Sequence, residues 1–139
     1  MNTGSCHCGA IQFEVPKKLG NVNLCYCGTC RKLNGSAFSA VAMVEAKDFH
    51  FLNGQDSMAV YESTPGKMRF YCTKCHAPVY VQLQSKPEQL RIRLGLLDFE
   101  PEVTISSHIW VKEKPQWYRI NDNLPQYPEF PDSAPVQTS

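Results

Sequence analysis

A mainly β, loop-rich single domain is the expectation for this chain of 139 residues. Short segments alternate apolar and polar side chains with a period of two. Gly, Pro and Asn interrupt them at short intervals, and no window sustains an apolar period of 3.6. The apolar fraction of 42% suits a packed core, and the length suits one domain.

Ile11-Gln-Phe-Glu-Val15 alternates and stops at Pro16. Ala37 to Val44 is apolar and β-rich and ends at the charged run from Glu45 to Asp48. Phe49 to Leu52 leads into Asn53-Gly54, a turn signal. Met58 to Tyr61 is a short strand, and Pro65-Gly66 turns the chain into Lys67 to Tyr71. Pro78 to Leu83, Leu90 to Leu94 and Ser107 to Val111 complete the set. One short helical turn is expected from Cys27 through Cys30, Arg31 and Leu33. From Pro115 the chain is proline-rich, with Pro125, Pro128, Pro131 and Pro135, and Trp117, Tyr118, Tyr127 and Phe130 punctuate it. That composition predicts an extended segment pinned by aromatic rings. The domain is expected to span residues 1–131, with residues 132–139 a flexible tail.

A formal net charge of +1 gives no general attraction to nucleic acid or to an anionic membrane. Lys17-Lys18 is the one short basic cluster apart from Arg31-Lys32. No run approaches the roughly 18 apolar residues of a membrane span, and the first twenty residues do not read as a secretory leader. A cytoplasmic protein with reduced thiols is the expectation, and the odd cysteine count also argues against a disulfide framework.

Seven cysteines fall in three clusters: Cys6-His-Cys8, Cys25-Tyr-Cys27-Gly-Thr-Cys30 and Cys72-Thr-Lys-Cys75. Thiolates one or two residues apart grip one ion with little loop-closure cost, and an all-sulfur set favours zinc or iron over calcium or magnesium. Four close one tetrahedral site, and three leave a coordination position open. The spacing allows two partitions. Cys6, Cys8, Cys72 and Cys75 can share one ion and Cys25, Cys27 and Cys30 another. Alternatively, the pairs Cys27/Cys30 and Cys72/Cys75 share one, leaving Cys6, Cys8 and Cys25. His7, His50, His76 and His108 are candidates for the missing ligand, although a residue beside a ligand tends to point away from its neighbour's metal. Arg31 is expected near the second site, bonding sulfur or a substrate carboxylate, and Lys32 reads as a solvated charge. Gly28 is expected to let the backbone approach the sulfurs.

These clusters and their flanks resemble the glutathione-dependent formaldehyde-activating family. The matching pieces are Gly4-Ser-Cys6-His-Cys8-Gly9, Cys25 to Lys32 leading to Gly35-Ser-Ala-Phe38, Asn53-Gly54, Tyr61, Arg69-Phe-Tyr-Cys72-Thr-Lys-Cys75, His108-Ile-Trp110 and Pro115-Gln-Trp117. They run in order from residue 4 to about residue 131. The resemblance implies a β-tent zinc fold with two zinc ions per chain. It implies a structural zinc on Cys6, Cys8, Cys72 and Cys75 and a catalytic zinc on Cys25, Cys27 and Cys30. It also implies carbon–sulfur lyase-type chemistry, joining a glutathione-like thiol to formaldehyde or another small aldehyde, or the reverse. His76 stands where the family pattern has glycine, so a turn forced out of a glycine-only conformation is expected there. Arg31, Asn34, Ser36, Trp110 and Trp117 are candidates to line the site, both tryptophans being equally suited to core packing. The partners implied are small-molecule thiol and aldehyde substrates. The rival readings are a zinc-stabilised binding or scaffold module without catalysis, and a redox or metal-buffering protein.

Overall fold

The computed structural model describes residues 1–99, 101 and 103–131; the expected tail at 132–139 lies outside the described residues. In chain order the strands are β1 (Asn2–Ser5), β2 (Gln12–Val15), β3 (Val22–Cys25), β4 (Ser39–Glu45) and β5 (His50–Asn53). They continue with β6 (Met58–Thr64), β7 (Lys67–Cys72), β8 (Pro78–Leu83), β9 (Lys86–Arg93) and β10 (Ile105–Ile109), and one helix, α1 (Gly28–Asn34), falls between β3 and β4 in sequence. The chain is therefore mainly β, as expected. It clusters into two compact units, Met1–Gly20 with Ala42–Val103, and Asn21–Val41 with the chain from Thr104 onward.

In the first unit β1, β2 and β5 pair antiparallel, with Gly4 opposite Phe13 and Phe13 opposite Phe51. Alternation in β2 buries Phe13 and Val15. Phe13 stacks on Phe49 at 4.7 Å between ring centroids, and Phe49 meets Phe51 and Tyr80 edge-on at 5.1 and 5.4 Å. Strands β6 to β9 form an antiparallel meander. Thr64 pairs with Lys67 across Pro65-Gly66, and Leu83 with Lys86 across a second two-residue loop. The β1–β2 and β7–β8 connections carry the two cysteine pairs of this unit.

Two glycines in this unit have no substitute. A Cβ on Gly4 would lie 2.5 Å from the Phe13 ring and 2.7 Å from the Leu96 carbonyl oxygen. Gly54 has φ of +83°, and a Cβ there would meet the Ala10 carbonyl oxygen at 1.9 Å. The Asn53-Gly54 turn thus presses directly on the loop between β1 and β2.

In the second unit β3 and β10 run parallel, with Ser107 opposite Asn23 and Ile109 opposite Cys25. Ser107 Oγ donates to Asn23 Oδ1 at 2.7 Å. Beyond β10 the chain makes a 3-10 turn (Val111–Glu113), and the proline-rich segment later runs parallel to β10 as a strap, bridged at His108 and Gln126. His108 N–H donates to the Pro125 carbonyl at 2.9 Å, and Tyr127 N–H donates back to the His108 carbonyl at 2.8 Å. Trp110 N–H and Val111 N–H donate to the Glu129 and Tyr127 carbonyls at 2.9 and 3.0 Å. Tyr118 packs on Tyr26 and Phe38, and Phe130 meets Trp110 edge-on. Trp117 is 74% exposed, so the expectation of core packing fails for it.

Gly54→Ala is expected to lower the unfolding free energy by more than about 2 kcal/mol, because backbone strain and a backbone clash combine. Gly66→Ala, also at positive φ (+81°) but with its nearest neighbour 3.9 Å away, should cost only about 1 kcal/mol. Denaturant midpoints of the two variants measure the difference.

Candidate metal centres

Each cysteine pair of the first unit sits in a hairpin turn that aims backbone N–H groups at sulfur. Cys6 N–H donates to the Ile11 carbonyl at 3.1 Å, and Ile11 N–H donates back to Cys6 Sγ at 3.3 Å. Cys72 N–H donates to the Ala77 carbonyl at 3.0 Å, and Lys74 N–H donates to Cys72 Sγ at 3.4 Å. The two turns bring Cys6, Cys8, Cys72 and Cys75 together, all four sulfurs within 4.8 Å of one another. Cys6 and Cys8 sulfurs are 3.6 Å apart, and those of Cys8 and Cys72 3.8 Å. Tetrahedral zinc–thiolate bonds of about 2.3 Å imply sulfur–sulfur edges of about 3.8 Å, so this donor set fits zinc.

Burial, other backbone donors and the neighbouring sulfurs set the acidities. Burial opposes ionisation of Cys75, but bonds from the Ala77 and Cys8 backbones and to the Cys72 and Cys8 sulfurs outweigh it and bring the thiol down to about 6. At Cys8 a bond from the Ala10 backbone favours the thiolate. Slight desolvation and the sulfurs of Cys6, Cys75 and Cys72 prevail, and its thiol is pushed up to about 11. The metal-free group therefore holds a mixture of thiol and thiolate.

His76 follows Cys75 and donates its N–H to the Cys72 carbonyl at 2.9 Å. Its φ is +64°, so histidine keeps the left-handed conformation, and the expected displacement of this turn does not occur. Histidine is among the residues that enter this region most readily.

The second unit assembles Cys25, Cys27 and Cys30, again with sulfurs within 4.8 Å of one another. Cys25 ends β3. Cys27 caps α1, its sulfur accepting the Cys30 N–H at 3.3 Å, and Cys30 lies in the first turn with its sulfur 3.4 Å from that of Cys25. Hydrogen bonds with the Cys27 and Cys30 sulfurs, with burial behind them, push the Cys25 thiol far above its ordinary range. Cys25 and Cys30 are buried with Ile109, and the partly exposed side chains packed on them are Cys27, Trp110 and Tyr127. The three sulfurs form a cup that fits a soft divalent ion and leaves one tetrahedral position without a cysteine.

Of the two partitions the spacing allowed, the structure brings together the first. No histidine joins either group among the described residues. His7, His50 and His76 are exposed. His108 is buried in a chain of its own, with Nε2–H donating to the Asp122 carboxylate at 3.0 Å and Nδ1 accepting the Tyr26 hydroxyl at 2.8 Å. Tyr26, between two cup cysteines, is fully buried, and burial pushes its hydroxyl pKa up so that it stays a donor. Burial opposes ionisation of Asp122, but the Leu124 N–H and His108 hold its carboxyl below the ordinary range.

Among the described residues, Arg31 Nε is buried without a hydrogen-bond partner. Its Nη2 would lie 3.7 Å from a Cβ on Gly28, and Glu113 Oε1 would lie 3.4 Å from it. Gly28 N–H donates to Glu113 at 3.0 Å, so the missing side chain admits a carboxylate and a guanidinium, where approach to the sulfurs was expected. Lys32 is solvated as expected, and Ser36 is exposed too. Asn34 is partly buried at the end of α1, and Trp117 is not among the side chains packed on the cup. Glu113 and Asp122 escaped the sequence reading because each acts on a residue distant in sequence, and Tyr127 was read only as one of the aromatics pinning the proline-rich segment. Only the His108-Ile-Trp110 and aromatic-rich signals hinted at them.

Cys72→Ser removes one of four sulfurs that could enclose an ion and is expected to destabilise the zinc-loaded chain strongly, since zinc held at a four-sulfur site contributes about 10–16 kcal/mol in small domains. Cys27→Ser should spare the fold, as thermal unfolding of the two variants will reveal. Loading the cup with zinc or cobalt should release protons and weaken as pH falls, because Cys25 is a thiol when metal-free. The depressed Asp122 carboxyl contributes stability above the ordinary carboxylate range, and that contribution disappears as pH falls below about 4. Wild type should therefore lose stability more steeply in acid than Asp122→Asn.

The family model for glutathione-dependent formaldehyde-activating enzymes matches residues 1–113. A Halomonas elongata protein, provisionally named a glutathione-dependent formaldehyde-activating enzyme, is 29% identical over 125 residues, covering 84% of this chain and 79% of that protein. The crystal structure of a Rhodobacter sphaeroides protein shares the fold with a TM-score of 0.59 at 21% identity, covering 72% of this chain and 91% of that one. With both sulfur groups lying in or between the matched strands, the chain belongs to the glutathione-dependent formaldehyde-activating enzyme family.

Proposed function

We propose that this protein joins a glutathione-like thiol to formaldehyde or another small aldehyde, or reverses that step, as a zinc-dependent carbon–sulfur lyase-type enzyme. The supporting observation is the contrast between its sulfur groups: four cysteines suffice to enclose an ion, and three leave a position on a cup whose Cys27 is partly exposed. On this reading Cys6, Cys8, Cys72 and Cys75 hold a structural zinc, and Cys25, Cys27 and Cys30 hold the catalytic one. Zinc supplies Lewis acidity when bound, which favours the thiolate of a substrate thiol near neutral pH.

The reaction involves no net oxidation. The thiol sulfur bonds to the carbonyl carbon, the π electrons move to oxygen, and the thiol proton ends on that oxygen. The residues of the chain orient the reactants, which is where much of the acceleration of a two-substrate addition arises. Arg31, with its buried unpartnered Nε, is the candidate to hold a substrate carboxylate.

The spontaneous addition is readily followed by exchange NMR with carbon-labelled formaldehyde. The zinc-loaded protein should accelerate exchange between free and glutathione-bound formaldehyde, and Cys27→Ser should abolish the acceleration while circular dichroism is unchanged. An absence of acceleration by fully loaded wild type would rule the reading out. Arg31→Ala should raise KM for glutathione about tenfold, and leave KM for 2-mercaptoethanol, which has no carboxylate, unchanged.

A further inference from the structure

Trp110 is a bulky residue held at φ of +59°, in the left-handed region. L-residues with large side chains rarely enter that region, because Cβ crowds the backbone carbonyl there. Here the conformation is enforced from several sides. Trp110 N–H is bonded to the strap at Glu129, its carbonyl accepts the Glu113 N–H at 3.0 Å, and its ring meets Phe130 edge-on at 5.4 Å. The ring packs against the buried sulfur cluster together with Tyr127, and both stay partly exposed there, as does Cys27. Two partly exposed aromatic side chains thus pack on the cup beside Cys27.

The strap that supplies Tyr127 is anchored by Asp122 through buried His108 to Tyr26, and it lies beyond the residues matched by the family model. Formaldehyde has no carbon substituent and nothing to place against such a wall. An aldehyde with an apolar group does, because in its thiol adduct that group is borne on the carbon next to the reacting sulfur.

Accepting the thiol–aldehyde reading of the cup, we propose that Trp110 and Tyr127 are specificity-determining residues. They receive the apolar or aromatic substituent of an aldehyde larger than formaldehyde, so the substrate class extends to hemithioacetals of apolar aldehydes. The Asp122–His108–Tyr26 chain has a positioning role, fixing the strap so that Tyr127 faces the sulfurs.

The test compares kcat/KM for formaldehyde and for pentanal, each with glutathione, in zinc-loaded wild type, Trp110→Phe and Tyr127→Leu. The variants should lose about tenfold or more on pentanal relative to whatever they lose on formaldehyde, mainly through KM. Equal losses on both aldehydes would overturn the proposal. A binding readout needs no turnover and no altered wall. In a Trp117→Phe background the emission of Trp110 should shift saturably as 1-pentanethiol is titrated into the zinc-loaded protein, and 2-mercaptoethanol should shift it less. If wild type accelerates no thiol–aldehyde exchange yet pentanethiol perturbs Trp110, the wall stands and the reaction assigned to the cup falls. If formaldehyde exchange is accelerated but pentanethiol leaves Trp110 unchanged, the wall falls and the reaction stands.

Discussion

Thiolates repel one another, and this chain packs its sulfur atoms into two groups with separations near van der Waals contact. Four negative charges within 4.8 Å are tenable only with a cation among them or with protons retained. The perturbed acidities follow from that constraint: Cys25 holds its proton, whereas Cys75 sheds it where backbone donors compensate. A divalent ion would resolve the conflict in either group. The fold of each unit can be read as the scaffold that keeps the sulfurs close without letting them disperse.

The scaffold works through backbone amides. The loops after β1 and β7 are closed by paired main-chain bonds and point further N–H groups at sulfur, and the first turn of α1 does the same at Cys27. Such donors lower the energy of a thiolate without adding mobile charge. Gly4 admits the Phe13 ring, Gly54 admits the Ala10 carbonyl, and His76 sustains a left-handed turn.

Where structure follows from local pattern, the sequence was readable. β2 and β8 begin and end within a residue of the alternation in Ile11 to Val15 and the run Pro78 to Leu83, and α1 covers the turn expected after Cys27. β1 was not readable, because Asn2-Thr-Gly-Ser has no apolar alternation and is ordered only by pairing with β2. β9 starts at Lys86, four residues ahead of its apolar stretch, because hairpin pairing extends it. The cysteine partition was undetermined by spacing, since a C-x-x-C pair carries no information about which distant hairpin it meets. His108 looked like a possible ligand, and its true partners, Tyr26 and Asp122, lie 82 and 14 residues away.

The parallel pairing of β10 with β3 has a consequence for the order of assembly. The four-sulfur group is complete in sequence once Cys75 has been made, whereas the strand behind Cys25 comes from Ile105–Ile109 and the strap bonded to it reaches Glu129. Closing that long loop is slow relative to closing a hairpin. During synthesis the cup's cysteines are therefore exposed while most of the chain is still being made. In that interval the three thiols are open to stray metals and oxidants, and only the arrival of the last strand and strap shelters them.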